Sequence, residues 1–337
     1  MNWNKVIISC LISLIILAFT VYIFNFEMND TDFLRYSNDD LLNYSNGELF
    51  FQYPSSLKII SENKESHVVI FEDSKTKEKI SVNKQVPPSK YSLNDVVLSN
   101  PENTSFKLKT VQNHEINGFN VKEVIYEIDN SRYDSGFIRS EKWIEKNGII
   151  YSIISIKPKN SGNNENIIMN NLNTQNKSLK GNNEHIIINS LNIQNTSNFN
   201  EQQIFWGEIA IPTLDVNWKI GSYTVNSYES VYHYDDSYFF GQNGTSGLLG
   251  HHTTYSAPFN NINTLKKGDK IIIKDFLSQK KYIYEVYLNG DIKYDYKKNP
   301  VKFPPKSSNL ILVTCWPKGT TDAAWQVHCK LIAIENL

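Results

Sequence analysis

Cysteine is scarce in this chain, with three in 337 residues: Cys10, Cys315 and Cys329. Cys10 sits in an apolar N-terminal run, so two remain for everything after it, too few for a disulfide framework. No CxxC pair and no His/Cys spacing of the metal-binding kind occurs, which leaves no metal or other cofactor to expect. Net charge is scarce too. With 34 Lys+Arg against 35 Asp+Glu the formal charge is −1, so no basic field is present to attract nucleic acid. Arginine is missing altogether beyond Arg139.

What is present begins with an uninterrupted apolar run over residues 6–24, about the length that spans a bilayer. Lys5 precedes it, and Glu27, Asp30 and Asp32 follow, which orients the short N-terminus toward the cytoplasm. Its exit, Val21-Tyr22-Ile23-Phe24, is bulky where a cleaved signal peptide needs small residues. The expectation is a single-pass signal anchor within residues 1–27. The remainder then lies outside the cell, against the plasma membrane.

Residues 46–157 alternate short apolar runs with turns, and strands are expected at 50–54, 68–71, 80–82, 121–128 and 149–156. Asn117-Gly118 and Asn147-Gly148 are tight-hairpin signals. Ser92 three residues before Asp95 reads as a helix start. Residues 158–203 are Asn-rich and duplicate a unit with a period of 19, GNNENIIMNNLNTQN from Gly162 and GNNEHIIINSLNIQN from Gly181. This composition favours a spacer, although the isoleucines of each copy have the spacing of one short amphipathic helix. From residue 204 to 337 strands are expected at 207–212, 247–250, 270–274, 281–288, 310–314 and 325–334, the rhythm of a small β-barrel.

Two of those strands end on reactive side chains. Gly247-Leu248-Leu249-Gly250-His251 ends on a histidine and Ile311-Leu312-Val313-Thr314-Cys315 on a cysteine. A thiolate attacks a carbonyl to give an acyl-enzyme, and an imidazole takes or returns the proton. A lone cysteine is ordinarily an inert buried thiol, and Cys329 is read that way. The context of Cys315 points instead to a nucleophile.

Three segments in order resemble the sortases, membrane-anchored cysteine transpeptidases. They are Gly207-Glu208-Ile209-Ala210-Ile211-Pro212, Gly250-His251 through Ala257-Pro258-Phe259, and Leu312-Val313-Thr314-Cys315 with Ile311 in place of the family's first Thr. Cys315-Trp316-Pro317 resembles the branch called class D or E, with archaeal relatives. The likeness implies a mainly-β, eight-stranded barrel over 204–337, with Cys315 as nucleophile and His251 as the catalytic histidine. It also implies partners: secreted proteins with a C-terminal sorting signal, and a cell-surface amine as acceptor. The FxYPSS opening and the meander of residues 46–157 loosely resemble the α+β PsbP-like extracytoplasmic domains.

One departure stands out. The family's arginine on the last strand falls on Ala324. Strand alternation puts Ala324, Gln326 and His328 on one face, so His328 and Gln326, or backbone N–H groups beside Cys315, are the candidate replacement donors. His252 stands where an arginine usually follows the histidine and competes with His251 for the role of base. Two other readings remain open: a thiol protease that releases peptides to water, and a catalytically weakened sortase-like scaffold on the cell surface.

Overall fold

The computed structural model describes residues 40–64, 67–97, 105–129, 136–159, 183–193 and 205–337. The apolar run at 6–24 and the first copy of the Asn-rich unit lie outside these residues. No helix among the described residues is long and apolar enough to cross a membrane.

The N-terminal region is built from antiparallel strands. A small sheet has the order β1-β2-β10, formed by β1 (Leu41–Ser45), β2 (Leu49–Pro54) and β10 (Asn192–Ile193). A larger sheet runs β3-β4-β5-β9-β8-β7-β6. Its strands are β3 (Leu57–Lys64), β4 (His67–Asp73), β5 (Lys79–Gln85), β6 (Phe106–Ile116), β7 (Phe119–Ile128), β8 (Phe137–Lys146) and β9 (Ile149–Pro158). Asn117 and Gly118 both take positive φ (52° and 74°), as do Asn147 and Gly148 (54° and 74°). These are the type I′ corners that the Asn-Gly pairs favour, joining β6 to β7 and β8 to β9. The second copy of the duplicated unit forms α1 (Asn183–Ser190) and β10. It packs against β2 of the small sheet and β9 of the large one, with Ile187 and Ile188 fully buried, and the Ser190 hydroxyl accepts the Gln52 N–H at 2.7 Å.

Ser92 and Asp95 do not start a helix. The Ser92 N–H donates to the Asp95 carboxylate at 2.8 Å, as in a capping box, but the following residues only turn. The cause is tertiary. The other Asp95 oxygen accepts Gln242 Nε2 at 2.7 Å, and Val96 is buried in the core shared with the barrel.

Residues 207–336 form a closed barrel of eight strands, ordered β11-β12-β13-β14-β17-β18-β16-β15. They are β11 (Gly207–Ile211), β12 (Val216–Gly221), β13 (Ser230–His233), β14 (Thr245–Leu249), β15 (Lys270–Asp275), β16 (Lys280–Lys293), β17 (Asn309–Trp316) and β18 (Ala323–Asn336). Six of these coincide with runs expected from the sequence. β12 and β13 are short and show no clean period-2 pattern of burial.

The sheet and the barrel share one core. A single cluster of buried residues includes Tyr126, Trp143 and Ile154 from the sheet with Trp206, Phe240 and Tyr282 from the barrel. Charges cross the same boundary. Fully buried Glu141 accepts Arg139 Nε at 2.6 Å and Lys280 Nζ at 2.8 Å, and Arg139 also donates to Asn336 Oδ1 at 2.6 Å. Burial alone would raise the Glu141 carboxyl, but Lys280 and Arg139 together hold it below its ordinary value. A buried charge stripped of its partner costs about 3–5 kcal/mol. The boundary near residue 204 therefore marks a change of sheet with the core continuous across it.

Candidate active site

The parallel pairing of β14 with β17 builds the site. Its register runs from Thr245 opposite Asn309 to Leu249 opposite Val313, and the same offset of 64 carries His251 to the level of Cys315. Two bonds lock the strand ends just before these residues. The Gly250 N–H donates to the Val313 carbonyl at 3.1 Å, and the Thr314 hydroxyl donates to the Gly250 carbonyl at 2.8 Å. The buried threonine of the motif thus sets the histidine strand against the cysteine strand.

His251 and half-buried Cys315 line one cavity of about 330 Å³, whose walls are mostly apolar and include Val225, Leu249, Val301, Phe303 and Val313. The Phe303 ring lies so close to Gly247 that a Cβ there would come within 2.3 Å of it. Glycine in the histidine strand is therefore what admits the ring that walls the cavity.

His251 Nε2 donates to Asn226 Oδ1 at 2.9 Å, and its Nδ1 is hydrogen-bonded with the Thr254 hydroxyl at 3.0 Å. With the proton on Nε2, the Thr254 hydroxyl can serve Nδ1 of the neutral ring, and burial lowers the His251 pKa below the usual histidine value. Tyr255 stacks on the ring with centroids 4.7 Å apart, holding a positive φ of 55° that bulky residues seldom adopt.

His252 occupies a different place. It is 3 % exposed, donates from Nδ1 to the Cys315 carbonyl at 2.8 Å, and stacks on Trp316. It pins the backbone of the cysteine and leaves the cavity to His251.

On β18, Ala324 pairs with Cys315, Gln326 with Val313 and His328 with Ile311. The three do share a face, but only Ala324 lines the cysteine cavity. Gln326 and His328 line a second cavity of about 680 Å³, where both engage Asp291: Gln326 Nε2 at 3.3 Å and His328 Nε2 at 2.9 Å. At about 3.4 Å per residue, they lie roughly 7 and 14 Å down the strand from Ala324. The fold brings Cys315, His251 and Ala324 together and sets Gln326 and His328 apart. Cys329 is fully buried, and that burial pushes its thiol up, away from the reactive thiolate form.

Residues 294–303, between β16 and β18's partner β17, contribute groups that sequence patterning does not single out. Tyr296 and Lys297 both line the cysteine cavity. The Tyr296 hydroxyl donates to the Thr321 carbonyl at 3.3 Å, on the wall of the cavity that it shares with Cys315. Lys297 Nζ donates to the Thr321 hydroxyl at 2.9 Å. These two residues sit in an irregular loop with no periodicity, so only the folded chain places them. Among the described residues no cluster of His, Cys, Asp or Glu has the arrangement of a metal site.

A family model described as the sortase domain matches residues 209–332, from within the first barrel strand to within the last. The matched span contains both His251 and Cys315 and supports the sortase family for the barrel. No curated protein matches the chain. Among solved structures, the chain is similar to sortase E1 from Streptomyces coelicolor with a tripeptide in the active site, at 23% identity over 39% of this chain and 90% of that one, TM-score 0.33. It is similar to sortase A from Listeria monocytogenes at 26% identity over 40% and 90%, TM-score 0.35. Sortase C-3 from Streptococcus pneumoniae matches at 18% identity over 39% of this chain and 64% of that one, TM-score 0.35.

Proposed function

We propose that the chain is a sortase-type cysteine transpeptidase working at the outer face of the plasma membrane. The observation that carries this reading is the parallel β14–β17 register, which sets His251 and Cys315 at one level on the wall of one apolar cavity. The Cys315 sulfur attacks a backbone carbonyl near the C-terminus of a secreted protein, and its proton passes to His251. As the C–N bond breaks, the departing amine leaves with that proton and a thioester remains on Cys315. A cell-surface amine then attacks the thioester, forming an amide and restoring the thiol.

Neutral His251 suits the first step, since its Nδ1 lone pair is free to take a proton once Thr254 turns its hydroxyl from donor to acceptor. The apolar walls suit a substrate whose residues before the scissile carbonyl are hydrophobic, and they disfavour water as the resolving nucleophile. The run at 6–24 serves as the anchor in this reading. Residues 46–157, read as a PsbP-like domain, then hold the barrel away from the lipid. Alanine at position 324 favours one alternative, a weakened sortase-like scaffold.

The deciding experiment is thioester trapping on the full chain in its native envelope. Wild type should carry a hydroxylamine-labile peptide on Cys315, and Cys315→Ala should carry none. A trapped peptide released by water at the same rate with and without added amines would make the chain a hydrolase, and no adduct at all would leave the scaffold.

A further inference from the structure

A carbonyl attacked by a thiolate becomes an oxyanion, and a catalytic site needs a donor aimed at the place where that charge appears. Few side chains lining the cysteine cavity are available. The Thr314 hydroxyl is spent on the Gly250 carbonyl, and both nitrogens of His251 are engaged by Asn226 and Thr254. Tyr234 packs its ring on Phe303, with centroids 5.0 Å apart. Ala324, directly across from Cys315 in the strand register, offers no polar atom. Gln326 and His328 belong to the other cavity and are held by Asp291.

Tyr296 remains. Its ring packs on the apolar cluster of Ile311, Val313 and Ala324, filling the side of the cavity that the small Ala324 leaves open. Its hydroxyl donates to the Thr321 carbonyl from the wall of the cavity that Cys315 also lines. A phenol has a single proton, so the hydroxyl has two settings in this cavity, toward Thr321 and toward Cys315. With a protonated thiol, the hydroxyl donates to Thr321 and accepts from the S–H. Once the thiol has lost its proton, the hydroxyl turns and donates to the sulfur. Burial and the neighbouring Cys315 both push the Tyr296 pKa up, so the group keeps its proton while it donates. Lys297, bound to the Thr321 side chain with its ammonium 5.9 Å from the Tyr296 ring centroid, adds positive charge on the same side.

Resting on the assignment of Cys315 as the nucleophile, we propose that Tyr296 is a catalytic residue that donates a hydrogen bond first to the Cys315 thiolate and then to the oxyanion formed by attack on the carbonyl. In that step the S–C bond forms while the carbonyl π pair moves onto oxygen. The Tyr296 O–H follows the charge from sulfur to oxygen without giving up its proton. Collapse of the intermediate returns the electron pair, expels the amine with the proton held by His251, and lets the hydroxyl swing back to Thr321.

The test compares two reactions at Cys315 in the full-length protein, wild type and Tyr296→Phe, which keeps the ring and its packing. The first is alkylation by iodoacetamide across pH, which needs the thiolate and forms no oxyanion. The second is acylation by p-nitrophenyl acetate, read as the p-nitrophenolate burst above a Cys315→Ala background, which needs both. Tyr296→Phe should slow acylation by about 10²-fold, the lower end for loss of one oxyanion donor. It should slow alkylation at neutral pH clearly less and displace its pH profile upward. Acylation of Tyr296→Phe equal to wild type would overturn the assignment. So would acylation and alkylation falling by one common factor, because Tyr296 would then act on the thiol alone. Wild type that is alkylated normally but shows no burst above the Cys315→Ala background would overturn the transpeptidase reading together with this one.

Discussion

The face formed by β17 and β18 carries two cavities built on the same paired strands. At one end Cys315 and Ala324 sit opposite each other under Phe303 and Tyr296, and the walls are apolar. Farther down, Val313 with Gln326 and Ile311 with His328 lead into a larger cavity lined by Asp291, Lys293, Asp295 and Lys302. A hydrogen bond or a charge is worth most where water is excluded. The small apolar cavity therefore amplifies whatever few polar groups enter it. In the large one Asp291 ties up the donors, and solvent and neighbouring charges of both signs screen them. Polar residues are fewer around the cysteine, and each weighs more.

The most severe way to break this contrast is to remove the nucleophile. Cys315→Ala should reduce acyl transfer to background while leaving the melting transition unchanged, whereas Cys329→Ala should retain chemistry. A live Cys315→Ala enzyme would move the site elsewhere. Glu141→Ala should abolish activity by another route. It leaves Arg139 and Lys280 buried without their counter-charge, at a cost of about 3–5 kcal/mol. Because sheet and barrel share a core, circular dichroism and tryptophan fluorescence should report one lowered, common transition. Two separated transitions would show that the halves are energetically independent.

His251→Ala should lower the rate by about 10²–10⁴-fold, the range for loss of a general acid–base group. In wild type the pH profile refines this. Burial lowers the His251 pKa from 6.5, so the neutral form that accepts the thiol proton persists below that pH. The acid limb of kcat/KM should accordingly lie below 6.5, with activity retained on acidification through that value and lost further down. An acid limb above 6.5 would contradict the neutral, Asn226-bonded imidazole. The mildest effects belong to the second cavity: Gln326→Ala and His328→Ala should leave the acylation rate at the wild-type level. A loss of 10²-fold in either would erase the distinction between the cavities and return those residues to the list of oxyanion donors.

Legibility in the sequence followed the same division. The cysteine and histidine strands were readable because each is a short apolar run with a reactive residue at its end, and the Asn-Gly corners because positive φ has few tenants. β6, with strictly alternating burial, is not legible because polar and charged residues fill its length. β8 is not legible because both its faces are covered, one by the barrel and one by α1 and the small sheet. Arg139 and Glu141 face the barrel and Lys142 faces α1, all buried, so charged residues interrupt the apolar pattern of a fully covered strand. Strand parity correctly grouped Ala324, Gln326 and His328, but parity says nothing about distance along the strand or about which cavity a residue enters.

Local sequence by itself determined six of the eight barrel strands, the tight corners and the duplicated unit, and it marked the two residues proposed for thiol chemistry. Each of those depends on the preferences of neighbouring residues or on the intrinsic reactivity of one side chain. The closed order of the barrel, the parallel register that levels His251 with Cys315, and the core shared by sheet and barrel were decided by the tertiary structure. So was the arrival of Tyr296 beside the sulfur, from a loop nineteen positions earlier in the chain. The physical reason is that electrostatic and hydrogen-bonding effects are set by separation in space and by exclusion of water, and both come into being only when distant segments pack.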